Sequence, residues 1–331
     1  MPTVNDVAIL KAEDGFIRPS DCLDGEINLL TYNNGKERYK AYTVSVVSVP
    51  HARIRFSHGS ILNLGYDSVL IGAINTGWEG CQPQITHDLV YDIQKKFKYQ
   101  VYRPEWMYRT GNFVQEIDLS EFTDKKTGIF NIATPDIYKF FGWASRSGRL
   151  NARGDYVVKT KLESVEEYEE LLTKVPVEVI SKEAGKYTLK RNWFVDVAIG
   201  MGLDYASRFI ADDLIFNCTM ELAKQFRDGF VDCRKTDPNI KYPDETRYET
   251  NFLDEAINDL TFMLHRAGIP TILINGVNSG YRVSEREPNW SNYVQDVTHI
   301  DVPTELYKIT PVINNGNDAL WMNELLFQAN K

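Results

Sequence analysis

Arg146, Arg149 and Arg153 fall in one short stretch, FGWASRSGRLNARGDYVV (141–158), interleaved with Gly148 and Gly154. Each guanidinium carries five N–H donors in a planar fork that matches a carboxylate or a phosphate. With Lys159 and Lys161 just beyond, and only Asp155 opposing, five cations meet one anion, a local charge of +4. The whole chain runs the other way, with 46 acidic against 37 basic residues and a formal net charge of −9. A polyanion would be repelled by most of such a surface, so contact with nucleic acid is at most local. Carboxylates of a neighbouring chain suit the overall charge better, for instance the acids between Glu163 and Glu170 of another subunit. Arg146, Arg149 and Arg153 are therefore assigned as a binding element for an interchain or anionic partner, on a flexible connector between a short helix and a strand. A merely solvated loop is the alternative, and the RGD triplet at 153–155 is short enough to arise by chance.

Other residue types with chemical potential lack the company that chemistry needs. Gly200-Met201-Gly202 follows the apolar run FVDVAI, a context in which glycines let a phosphate approach a helix N-terminus, but the third glycine of a dinucleotide fingerprint is missing. A glycine hinge between helical segments is the preferred reading. The pattern GxxxxGK[ST] does not occur, and neither does GxSxG. Histidines 51, 58, 87, 265 and 299 form no HExxH or HxH, and Ser60 in SHGS has no base that the sequence identifies. Asp212–Asp213 and EEYEE read as solvated helix faces, and Asp232-Cys-Arg-Lys235 is only half of a carboxylate–lysine pair. Cys22, Cys81, Cys218 and Cys233 show neither CxxC spacing nor nearby histidines, which suits free thiols in a reducing compartment. No catalytic residue, metal or cofactor is assigned.

The elements that must position the arginines follow from periodicity. AYTVSVVSV (41–49), RIRFSHG and DSVLIGAIN (67–75) are β-branched or alternating, as strands are. Ile85, Leu89, Ile93 and Phe97, four apart, predict a helix over 84–97, with strands again in YQVYRP and GNFVQEID. Thr134 before Pro135 predicts an N-cap and a short helix over 135–141 leading into the arginine stretch. DYVVKTKL reads as a strand, and SVEEYEELLTKV as a helix opened by a Ser164–Glu167 capping box and stopped by Pro176. VEVIS and KYTLKR add strands. Apolar residues every four positions from Ala206 to Phe226 predict one helix of roughly 25 residues ending near Gly229. A second long helix, 251–267, ends at Gly268 and Pro270. Asn275–Gly276 signals a hairpin, DVTHIDV and ELYKITPVI are strands, and Asn317 is expected to cap a final helix, DALWMNELLFQA. The expected fold is α+β: a β-rich domain over 1–165, then a mixed domain over 166–331 with two long amphipathic helices, a β-hairpin and a C-terminal helix. The N-terminus lacks a basic segment followed by an apolar core, and no apolar run spans a bilayer, so a soluble protein without a membrane partner is expected.

Residues 250–305 carry one resemblance. An amphipathic helix closing in HRAGIPTILI, then the hairpin and PNWSNYVQDVTHIDV, is similar to the neck or head–tail joining proteins of tailed bacteriophages, in which a helical element precedes a small β-structure. The resemblance implies a non-catalytic structural protein of the particle, in the neck, at the head–tail joint or in the tail. It would be a homo-oligomer whose partners are its own copies and other virion proteins, found in the virion and, during assembly, in the host cytoplasm. The alternatives are a phage-type nucleotide- or DNA-processing enzyme using 200–202 or the arginines, and a binding protein that neutralises a host factor.

Overall fold

The computed structural model describes residues 1–33, 36–74, 84–93, 100–101, 116–118, 120, 124, 126, 128–203, 212–216, 218–232, 247–250, 254–275, 281–285, 293–313, 318–323 and 325–329. The chain is a mixed α+β protein with a β-rich N-terminal part. Strands β1 (Thr3–Val4), β2 (Leu10–Ala12), β3 (Gly15–Ile17), β4 (Glu26–Asn33), β5 (Lys36–Phe56), β6 (Ile61–Gly65), β7 (Val69–Ile74) and β8 (Gln84–Leu89) come first. Then follow β9 (Gln100–Val101), β10 (Glu116–Asp118), β11 (Ile129–Asn131), α1 (Pro135–Ser147), β12 (Arg149–Leu150), β13 (Tyr156–Lys159), α2 (Val165–Lys174), β14 (Val179–Glu183) and β15 (Lys186–Leu189). The remainder is α3 (Trp193–Gly200), α4 (Asp212–Phe216), α5 (Met220–Asp232), β16 (Arg247–Thr250), α6 (Asp254–Arg266), β17 (Thr271–Asn275), β18 (Tyr281–Glu285), β19 (Val294–Pro311), β20 (Ala319–Met322) and β21 (Leu325–Gln328).

Two units divide the chain: residues 1–111, 271–274 and 287–331 form the first, and residues 112–270 and 275–286 the second. The boundary expected at 165/166 falls inside the second unit, at the first residue of α2.

The first unit is built on β5 and β19, paired antiparallel from Tyr42↔Pro311 to Phe56↔Val294. β1 joins β19 to β6, and β6 returns to β5, so these four strands close a circuit; β4, β2, β20, β21, β7 and β8 extend the sheet from β5. Its core gathers Val4, Leu10, Leu29, Tyr42, Ile54, Phe56, Leu62, Leu70, Leu320 and Phe327. The β5–β19 ladder shifts register twice, near its end between Val294 and Asp296 and in the middle between Ile300 and Thr304. Val49 pairs with Thr304 and His51 with Ile300, which leaves Asp301, Val302 and Pro303 opposite Pro50 alone. Neither proline has an N–H to give the ladder, and prolines within sheets are confined to edges and bulges.

Two predicted helices in this unit are strands instead. Within 84–97, residues 84–89 form β8 against β7, with Ile85 opposite Ala73 and His87 opposite Ile71; residues 94–97 lie outside the described part. A spacing of four keeps residues on one face of a strand as well as near one face of a helix, so that pattern does not discriminate. DALWMNELLFQA is the hairpin β20–β21, in which Met322 pairs with Leu325 across a turn holding Asn323 at φ +46. Asn323 ties the turn to Ile9 twice: the Ile9 N–H donates to Oδ1 at 2.6 Å and the Asn323 N–H donates to the Ile9 carbonyl at 3.0 Å.

The second unit centres on the crossing of α1 and α5. Thr134 caps α1 as predicted, accepting from the Ile137 N–H at 3.3 Å. The helix then runs on to Ser147 because Phe140, Phe141, Trp143 and Ala144 are all buried, and burial of an apolar stripe outweighs the glycine at 142. The predicted single helix from Asp204 is interrupted: Thr219 begins α5 afresh, its Oγ1 accepting from the Leu222 N–H at 3.2 Å. α2 forms over its predicted stripe, but the Ser164 side chain makes no capping bond and Glu167 pairs with Lys139 instead, so the capping box is absent. Gly268 closes α6 as expected, with its N–H on the His265 carbonyl at 2.9 Å, whereas the Asn275–Gly276 turn reaches outside the described residues.

The α1–α5 approach leaves no room for a side chain. A Cβ on Gly142 would lie 1.9 Å from the Phe226 carbonyl oxygen, and one on Gly229 would lie 1.9 Å from that of Lys139. Either methyl forces the two helix backbones apart. Gly142→Ala and Gly229→Ala should each cost about 1–3 kcal/mol or more despite the better helix propensity of alanine, read as a lowered melting temperature. A neutral or stabilising effect of both would show that the helices do not approach this closely.

Candidate functional site at the arginine-bearing helix and hairpin

The structure separates the three predicted arginines into two environments. Arg146 lies in the last turn of α1 at 5% exposure, its guanidinium 4.9 Å from the centre of the Phe230 ring on α5. It belongs to the packing of the two helices, through a cation–π contact, and is not on offer to an external ligand. Arg149 and Arg153 are exposed, on β12 and on the turn that follows it. The expected flexible connector is in fact the end of a helix and a closed hairpin.

β12 and β13 pair through Arg149↔Val157 and Leu150↔Tyr156. Asn151 organises the turn between them. Its Oδ1 accepts from the N–H groups of Arg153 at 2.8 Å and Asp155 at 3.0 Å, and its side-chain amide donates to Asp155 Oδ2 at 3.1 Å. Its own N–H donates to the Asp155 carbonyl at 2.9 Å. An Asn side chain that mimics a backbone turn in this way fixes the loop locally. The base is tied down as well: Trp143 Nε1 donates to the Lys159 carbonyl at 2.7 Å, the Lys159 N–H donates to Ser147 Oγ at 3.2 Å, and the Tyr156 hydroxyl donates to the Leu203 carbonyl. Below this, Trp143 packs on Tyr168 with ring centres 4.2 Å apart, and the Tyr168 hydroxyl reaches the Gly229 carbonyl at 3.1 Å.

The result is a braced hairpin carrying Arg149, Arg153 and Lys159 on its surface. Among the described residues none of the three forms an ion pair. Asp155, the one opposing charge, is held by Asn151. Three of the acids suggested as partners are engaged within their own chain: Glu167 with Lys139, Glu169 with Lys182 and Tyr187, and Glu170 with Lys174 at 2.8 Å.

The remaining chemical candidates resolve differently from their sequence pattern. FVDVAI is part of α3, so Gly200-Met201-Gly202 lies at the C-terminal end of a helix, and the residues that follow, 204–211, lie outside the described part. Gly202 sits at φ +70, and the N–H groups of Met201, Gly202 and Leu203 are taken by the carbonyls of Val197, Ile199 and Ala198. A phosphate would meet the negative end of the helix there. Ser60 does find a base, since His58 Nε2 lies 2.9 Å from its Oγ, a contact set by the turn between β5 and β6 and invisible in the spacing alone. Both groups are buried, and Leu273 and Thr271 cover the turn, with the Leu273 N–H on the Ser57 carbonyl at 2.7 Å and the Thr271 hydroxyl on that of His58. The pair is a buried hydrogen bond. Burial pushes the Cys22 thiol up to about 12 and the Cys218 thiol up to about 11, so neither supplies a thiolate near neutral pH. Among the described residues no group of three His, Cys, Asp or Glu is placed to hold a metal ion. Asp232–Lys235 falls largely outside those residues. No described helix is long and apolar enough to cross a membrane.

No protein-family model matches the chain, and no curated protein matches it.

Asn151→Ala removes the side-chain bonds that close the hairpin. It should lower local stability by about 1–2 kcal/mol, so that the Arg153 and Asp155 amides exchange with solvent roughly tenfold faster while the helix amides of α1 are unchanged. Unaltered exchange at those two amides would mean that the turn is held by something other than Asn151.

Proposed function

We propose that the chain is a non-catalytic structural subunit of a tailed-phage particle, acting through contacts with its own copies and with other virion proteins. The observation that supports this reading is the braced hairpin. It offers two guanidinium groups and an ammonium that have no ion-pair partner among the described residues, on a frame that loses little conformational freedom when a partner binds. A preformed cationic element on a chain of net charge −9 suits an acidic protein surface, and copies of the chain itself provide one. The neck, the head–tail joint and the tail are the assemblies in which the 250–305 resemblance would place such a subunit.

Sedimentation velocity tests the reading. The wild-type chain should associate, and the double substitution Arg149→Ala/Arg153→Ala should weaken that association tenfold or more, since truncating arginines central to an interface costs upwards of about 1–2 kcal/mol. The melting temperature should hardly move, because both side chains are exposed. Unchanged association accompanied by lost affinity for ATP or a short DNA duplex would favour the enzyme alternative instead.

A further inference from the structure

The bulge opposite Pro50 builds the other conspicuous surface of the molecule. Tyr66, which follows β6, donates its hydroxyl to Asp301 Oδ1 in the bulge at 3.0 Å. Its ring meets Tyr91 edge-on at a centre distance of 5.2 Å and His299 at 5.5 Å, and His299 Nε2 lies 3.1 Å from the Tyr91 carbonyl oxygen. These aromatics are not sequestered. Tyr91 is 59% exposed and the neighbouring Val302 is 73% exposed. Asp301, Asp67 beside Tyr66 and Asp92 beside Tyr91 are exposed too, which makes the patch both aromatic and acidic.

That composition is the complement of the hairpin. Guanidinium groups stack on tyrosine rings and fork onto carboxylates, and Arg with Tyr dominates the energetics of interface centres. The cations of the hairpin have no ion-pair partner among the described residues, and three acids of the 163–170 cluster are already paired within the chain. We infer that the Arg149–Arg153 hairpin of one copy seats on the Tyr66–Tyr91–Asp301 patch of a second copy. This rests on the reading of the chain as a self-associating structural subunit and names its interface. The two surfaces share no residue, so the contact is head to tail, and it leaves one hairpin and one patch open for the next copy.

The test uses full-length chains broken on one side only. One variant is Arg149→Ala/Arg153→Ala, with an intact patch; the other is Tyr91→Ala/Asp301→Ala, with an intact hairpin. Circular dichroism and melting temperatures check that both remain folded, as substitutions at exposed positions should allow. By native mass spectrometry and sedimentation, the wild type should form extended oligomers, each variant alone should lose self-affinity by tenfold or more, and an equimolar mixture should recover 1:1 pairs that grow no further. If the wild type associates and both variants associate equally well, the named interface is wrong, and so is the hairpin as the element through which copies associate. If only the hairpin variant is impaired, or if mixing restores nothing, the hairpin seats elsewhere and the inference is again overturned. A wild type that stays monomeric at about 100 µM, well above the concentrations at which specific contacts form, overturns the self-association reading itself and this interface with it.

Discussion

Helices α1 and α5 touch backbone to backbone at Gly142 and Gly229, and the second unit is organised around that contact. Each glycine faces a carbonyl of the opposite helix at a distance no side chain permits. Such proximity brings Phe230 under Arg146, seats Trp143 against Tyr168, and lets the Tyr168 hydroxyl satisfy the Gly229 carbonyl. From the last turn of α1, Trp143 and Ser147 then hold β13, and β13 holds the hairpin. The placement of the β12–β13 hairpin thus depends on two residues that have no side chain at all. Close-packed interiors transmit a displacement of this kind instead of absorbing it.

In the first unit a different constraint has a comparable effect. Two prolines facing each other across a long antiparallel ladder cannot both belong to it, so three residues of β19 leave the register and Asp301 and Val302 come to the surface. Tyr66 and Tyr91 collect beside them. A lapse in hydrogen bonding thereby creates an exposed aromatic and acidic surface, on a scaffold kept rigid by the closed circuit of β19, β1, β6 and β5.

Much of this architecture can be read from residue order. Thr134-Pro135, Gly268-Pro270 and the β-branched run 41–49 each have one physical interpretation, and each forms what it predicts. The failures share a cause. Apolar residues four apart satisfy both a helix and a strand, so 84–89 could not be distinguished from a helix by spacing, and only pairing with β7 decides it. DALWMNELLFQA contains good helix formers, and Asn323 turning the chain onto Ile9 is a tertiary fact. The site was half legible. Arg149 and Arg153 are exposed cations as expected, but Arg146 looks the same in sequence and differs only because Phe230 lies across from it. Nothing local announces that Asn151 will close a turn, that His58 will reach Ser60, or that Tyr66, Tyr91 and Asp301 will meet, because each depends on partners brought together by the fold.

An arginine-bearing hairpin that drives association of an acidic chain through opposite charge must respond to salt. Exposed charge pairs are screened by salt over a Debye length of about 10 Å at 0.1 M and about 3 Å at 1 M. The most direct measurement is the self-association constant of the wild-type chain by sedimentation equilibrium from 50 mM to 1 M sodium chloride. The chain should associate at low salt, and the association should weaken by tenfold or more across this range. Association of equal strength at every salt concentration, or its absence throughout, would contradict this.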